Sequence, residues 1–296
     1  MSELSGVIAA ATTPVEASGE IDQERLVKHG RWLLEAGGCD GVNLLGTTGE
    51  ATSFSLQQRL AAMSHVASSG LPMSRLMVGT GAAALADTLA LTKAAEDLGF
   101  AGALLVPPFY FKDIGEDALT NYVQRIIDEA SPKRAKLYLY HIPQFSGVPY
   151  SFDVVERLER RNPGVLRGVK DSSGDLAYSK GLAQRLPEID VFPSSEGTLS
   201  SAGEHGFAGC ISATTNVSGA LAQEAWSGRG TDAGRRAGEK AIAIRDAISQ
   251  FTLVAAVKWA VSLIHSDPFW RRLQPPLAAL DPDQSKALEA ALAKLR

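Results

Sequence analysis

The chain has 296 residues, 45% of them hydrophobic and 21% charged, with a formal net charge of −4. This much apolar material excludes a disordered chain, and 28 Gly without a period of three exclude a collagen-like one. The 29 Lys and Arg are interspersed with 33 Asp and Glu and form no basic stripe, which argues against a nucleic-acid surface.

Along the chain, short apolar or β-branched runs end in Gly, Thr, Pro or Ser, and each precedes a stretch of helical period. Val7-Ile8-Ala9-Ala10-Ala11 stops at Thr12-Thr13-Pro14, and its helix carries Leu26, Trp32, Leu33 and Leu34 before Gly37-Gly38. Gly41-Val42-Asn43-Leu44-Leu45 stops at Gly46 and precedes a helix over residues 56–66. Leu76-Met77-Val78-Gly79 leads into a helix over 84–98, and Ala103-Leu104-Leu105-Val106 stops at Pro107-Pro108. Leu137-Tyr138-Leu139-Tyr140 stops at Pro143, and residues 165–170 give the sixth run. Val191-Phe192 and Gly209-Cys210-Ile211-Ser212 complete eight.

Eight strand-then-helix units predict an α/β fold, a (β/α)8 TIM barrel over residues 1–220; an open doubly wound sheet is the alternative. The near-continuous apolar runs fit strands covered on both faces. After Ser218 only helical pattern remains, at 237–248, 253–264 and 282–295, so residues 221–296 are predicted to be a C-terminal helical appendage. Cys39 and Cys210 form no CxxC pair and read as reduced, buried residues. No run reaches the length of a membrane span and Met1-Ser2-Glu3-Leu4-Ser5 is no signal peptide, so the expectation is a cytoplasmic protein.

A barrel of this kind builds its active site at the C-terminal ends of the strands. Lys170 closes the sixth apolar strand and should point into the mouth, where losing solvent favours the amine that attacks carbonyls. A pairing with neighbouring Asp171 is the other reading. Lys258, in Val254-Ala255-Ala256-Val257-Lys258-Trp259, sits mid-helix outside the barrel and reads as a snorkelling stem. Tyr140 ends the preceding strand at the same level, where its phenol could exchange a proton with a substrate held on Lys170, or simply pack. Thr47-Thr48-Gly49 offers hydroxyls and N–H groups for a carboxylate, or an ordinary helix cap. Gly79-Thr80-Gly81-Ala82-Ala83-Ala84 resembles a dinucleotide turn, but no following strand ends in a ribose-binding acid. The five histidines form no HExxH or HxH set, so a mechanism without metal or other cofactor is expected.

These residues resemble the dihydrodipicolinate synthase/N-acetylneuraminate lyase family over nearly the whole chain. The resemblance rests on Gly46-Thr47-Thr48-Gly49-Glu50, Tyr140-His141-Ile142-Pro143, Gly168-Val169-Lys170-Asp171 and Gly209-Cys210-Ile211-Ser212-Ala213-Thr214. It implies a pyruvate-type 2-oxo acid bound to Lys170 as an imine (Schiff base), with Tyr140 as proton shuttle and Thr47 linking it to Tyr110. It further implies that Thr48 and Gly49 hold the carboxylate and that Ile211 presents a carbonyl near the imine. Tyr110 would reach a neighbouring subunit's site in a homodimer or homotetramer.

Where the synthase has an arginine five residues after the tyrosine, this chain has Phe145, which disfavours aspartate semialdehyde as second substrate. Glu196 matches one acid of the lyase's pair, while Ser195, Ser172 and His141 depart from its pattern. The resemblance therefore implies a class I lyase or aldolase that cleaves or dehydrates a 2-oxo-3-deoxy sugar acid, read by Ser172, Ser195, Glu196 and His141. The rivals are the synthase reaction itself and a homologue that binds a 2-oxo acid without turnover.

Overall fold

In a computed structural model, residues 4–295 are described. Eight parallel strands, β1 (Gly6–Ala10), β2 (Gly41–Leu44), β3 (Leu76–Gly79), β4 (Gly102–Leu105), β5 (Lys136–His141), β6 (Leu166–Asp171), β7 (Asp190–Pro193) and β8 (Gly209–Ser212), are joined through intervening helices. Their order, β7-β6-β5-β4-β3-β2-β1-β8, is that of a (β/α)8 barrel. Seven neighbouring pairs share full ladders. The β7–β8 seam is closed more thinly, by the single bridge Val191↔Phe207 and the Ala208 N–H donating to Val191 O at 3.0 Å.

Strand side chains alternate between faces, and this sorts the residues. Ile8, Met77, Leu104, Tyr138, Phe192 and Ile211 fill the barrel interior. Val7, Val42, Val78, Leu105, Leu139 and Val169 point outward into the larger core beneath the helices. Tyr138 fits only because glycines face it. A Cβ on Gly168 would lie 2.7 Å from its ring, and one on Gly102 3.0 Å.

Beyond β8 the chain runs through helices Thr215–Ser227, Asp232–Ser249, Leu253–Ile264 and Pro282–Ala293. The last three share a second apolar cluster around Ile248, Val257, Val261 and Leu288. No single helix among the described residues is long and apolar enough to cross a membrane.

His29 is buried against the barrel's rim. Asn216 donates its amide to Ala10 O and Ala213 O, both at 2.7 Å, so its oxygen faces His29. His29 Nε2 therefore donates to Asn216 Oδ1 at 2.9 Å, and its Nδ1 accepts from His265 Nε2 at 3.0 Å. Burial holds the His29 imidazole neutral and pushes its pKa down from 6.5 to about 3. The unfolded chain binds this proton first, so the group's contribution to stability is complete above pH 6.5 and is lost as pH falls toward 3. Between pH 8 and pH 5 the expected loss from this residue is about 2 kcal/mol. Urea unfolding at both pH values checks it, with His29→Gln expected to flatten the difference.

Candidate active site

The register of β5 on β6 pairs Tyr140 with Lys170 and His141 with Asp171. Alternation sends the first pair into the barrel mouth and the second outward. Lys170 is 3% exposed and Tyr140 5%, and the Lys170 Nζ lies 4.1 Å from the centroid of the Tyr140 ring. Thr47 Oγ1 donates to the Tyr140 hydroxyl oxygen at 3.3 Å. The phenol thus accepts one hydrogen bond and keeps its own proton available to the cleft.

The 46–50 turn that delivers Thr47 is tightly built. Leu45 and Glu50 lie in the left-handed region, at φ 50° and 56°. Gly49 packs behind the turn: Thr13 Oγ1 donates to its carbonyl at 2.8 Å, and a Cβ there would lie 3.1 Å from Ala11 O. Gly49 thus shapes the turn and does not line the cleft, whereas Thr48 does.

A cleft of about 390 Å³ opens over Lys170, lined by Thr48, Tyr140, Ser172, Ile211, Ser194 and Arg245, with Phe145 on its rim. Residues 252–254, together with Pro276 and Leu277, roof it. A second lobe of about 210 Å³, walled by Leu104, Val106, Phe109 and Ile142, shares Thr47 and Tyr140 with the first.

Three expected substrate contacts lie elsewhere. His141 faces outward, stacked on Tyr178 with centroids 4.1 Å apart, and its Nδ1 accepts the Tyr150 N–H at 3.1 Å. Burial lowers its pKa, with Asp171 and Asp175 opposing. Ser195 caps a 3₁₀ turn, accepting the Gly197 N–H at 3.3 Å, and the inward position at the end of β7 belongs to Ser194. Glu196 is fully buried; its Oε1 accepts from Thr214 Oγ1 at 2.5 Å and Ser218 Oγ at 3.0 Å. Its other oxygen lies 3.4 Å from Arg245 Nη1.

Arg245 is the residue that sequence reasoning missed. Its Nη1 is anchored to Ser194 O at 2.8 Å and to Glu196, Ser212 and Thr214 at 3.3–3.4 Å. Only 28% of the side chain is exposed, and it borders the cleft that holds Lys170. The available signal was a charge interrupting the apolar run Ala241-Ile242-Ala243-Ile244.

Tyr110 and Phe111 stand 77% and 72% exposed on the loop after β4, edge to face with each other. Within one chain Thr47 bonds Tyr140 and not Tyr110. Lys258, expected to snorkel, is instead fully buried and paired with Glu50 at 2.5 Å. The glycines of the dinucleotide-like turn serve packing. A Cβ on Gly79 would lie 2.1 Å from Leu45 O, and one on Gly81 2.4 Å from Val106. The buried Arg59 guanidinium, pushed down to about 10 by burial, donates to both their carbonyls. Cys39 and Cys210 are free and buried, and burial raises both thiols, Cys39 to about 12.

Residues 3–295 match the dihydrodipicolinate synthetase family. A DapA-like lyase of Chloroflexus aurantiacus, itself described as uncharacterized, is 35% identical over 302 residues, covering 100% of this chain and 98% of that protein. The crystal structure of dihydrodipicolinate synthase from Agrobacterium tumefaciens superposes with a TM-score of 0.88 at 29% identity, covering 98% of this chain and 99% of the other. N-acetylneuraminate lyase of Proteus mirabilis gives 0.87 at 25% identity, covering 100% and 99%. Barrel, mouth and full-length similarity agree: the chain belongs to the dihydrodipicolinate synthetase family and is a lyase of that group.

Proposed function

We propose that the protein is a class I lyase that binds a 2-oxo acid as an imine on Lys170 and cleaves or dehydrates a 2-oxo-3-deoxy acid carrying an anionic group at its far end. The observation that carries the chemistry is the buried Lys170 Nζ over the Tyr140 ring, at the floor of an open cleft. The Lys170 amine attacks C2 of the substrate, water leaves, and the resulting cationic imine draws electrons from C3. With that sink in place, either the C3–C4 bond breaks or C3 loses a proton and the C4 hydroxyl departs. The ring face of Tyr140 favours the imine cation beneath which it lies. Its hydroxyl exchanges the proton at the C4 oxygen, and donation from Thr47 steadies the phenolate that forms. Thr48 holds the C1 carboxylate, and Ile211 offers its carbonyl beside the imine.

Arg245 supports the distal anion. Its Nη1 is saturated by protein acceptors, which fixes the guanidinium, and the side chain lines the cleft with 28% of its surface exposed. This also changes the weight of Phe145: the arginine missing from that position has a counterpart supplied by another helix. Aspartate semialdehyde, which carries a carboxylate, is therefore the second reading. The exposed Tyr110 and Phe111 support assembly with a second copy whose mouth they would reach, as a dimer or tetramer.

The test is to incubate the protein with pyruvate, reduce with borohydride and map the mass adduct. An adduct on Lys170 is expected; none, or one elsewhere, overturns the imine mechanism. Screening 2-oxo-3-deoxy acids with and without a terminal carboxylate or phosphate, alongside aspartate semialdehyde with pyruvate, then ranks the substrates.

A further inference from the structure

Glu50 ends the turn that carries Thr47 and Thr48, with its backbone in the left-handed region. A non-glycine residue stays there only when its surroundings hold it. Both carboxylate oxygens are held: Oε1 accepts from Lys258 Nζ at 2.5 Å and Oε2 accepts the Gln274 backbone N–H at 2.6 Å. Neither partner belongs to the barrel. Lys258 lies within helix Leu253–Ile264, and Gln274 in the segment that follows. These segments also roof the cleft, through Leu253 and Val254 at the start of that helix and Pro276 and Leu277 just past Gln274. One carboxylate therefore joins the floor turn to both parts of the roof.

The pair is fully buried on both sides. Stability alone does not account for it, because apolar residues of similar volume usually serve a core as well as a buried ion pair does. What the pair supplies is direction: two charge-assisted hydrogen bonds to one carboxylate, one from the buried Lys258 side chain and one from the Gln274 backbone.

We infer that Lys258 and Glu50 are positioning residues, holding Thr47 and Thr48 at the height over Lys170 at which a 2-oxo acid's carboxylate and the Tyr140 hydroxyl are both met. The inference rests on the imine reading of Lys170 and extends it to a residue of the C-terminal helices that does not touch the substrate. It is tested by titrating pyruvate against borohydride-trapped adduct in wild type, Glu50→Gln and the double variant Glu50→Leu with Lys258→Met. Melting temperature is followed in parallel.

Glu50→Gln keeps the shape but places an amide donor against one of two donors. The pyruvate concentration giving half-maximal trapping is expected to rise at least tenfold, on the order of one charge-assisted hydrogen bond. The double variant is expected to recover melting temperature and to keep the raised half-saturation. Recovery of both together, or an unchanged half-saturation in Glu50→Gln, overturns the positioning role. Glu50→Gln decides the matter alone where the double variant does not fold. Absence of any Lys170 adduct in wild type would instead remove the function reading on which the inference rests.

Discussion

Tyr140→Phe is expected to retain the Lys170 adduct with pyruvate and to lose turnover by about 10²–10⁴-fold, the range for removing a general acid–base group. The two outcomes separate because the tyrosine has two parts. Its ring, 4.1 Å from Lys170 Nζ, survives the substitution, so imine formation and its cation are still accommodated. Its hydroxyl, which accepts from Thr47, is lost, and nothing else on that strand can replace it: the next residue, His141, points outward against Tyr178. Mass mapping after borohydride reports the first step, and consumption of a 2-oxo-3-deoxy acid, by cleavage or by loss of water, reports the second. Normal turnover in Tyr140→Phe would remove the tyrosine from the mechanism.

Arg245→Gln is expected to lower kcat/KM for substrates with a distal carboxylate or phosphate by about 10–150-fold, equivalent to roughly 1.5–3 kcal/mol for a hydrogen bond to a charged group. The concentration of pyruvate needed for trapping should not move, since pyruvate has no far end. The same substitution leaves the buried Glu196 carboxylate without its cation, so a fall in melting temperature is expected as well. Adding Glu196→Gln should restore stability and not specificity. Equal losses on substrates with and without the distal anion would show that Arg245 does not read it.

The barrel was legible because parallel strands covered on both faces leave an unmistakable trace: apolar runs such as Leu76-Met77-Val78 recurring between helical stretches. Lys170 and Tyr140 stood out for the same reason, as polar residues ending such runs, and the ladder register brings them side by side. Ser195 and His141 turn away from the cleft, since nearness to a strand end does not say which way a side chain points, while Glu196, in phase with Phe192, is held below the cleft by Thr214 and Ser218. His141 falls one step out of phase with Tyr140, and Ser195 one step out of phase with Phe192, whose ring lies inside. Arg245 and the Lys258–Glu50 pair were illegible for a different reason. Both depend on where the C-terminal helices dock, and no local period records contacts between residues some fifty to two hundred positions apart.

The thinly laddered β7–β8 seam has a consequence for how this enzyme could change. Glu196 follows β7, Thr214 and Ser218 follow β8, and Arg245 is bonded to residues on both sides of the gap. The side chain that borders the cleft is also a rivet in the barrel wall. A drift in preference through position 245 would have to re-close the wall in the same step, which makes single substitutions there poor evolutionary starting points. Phe145, 69% exposed on the opposite rim of the cleft, carries no such duty. New specificities in this barrel have their open route through the β5 loop.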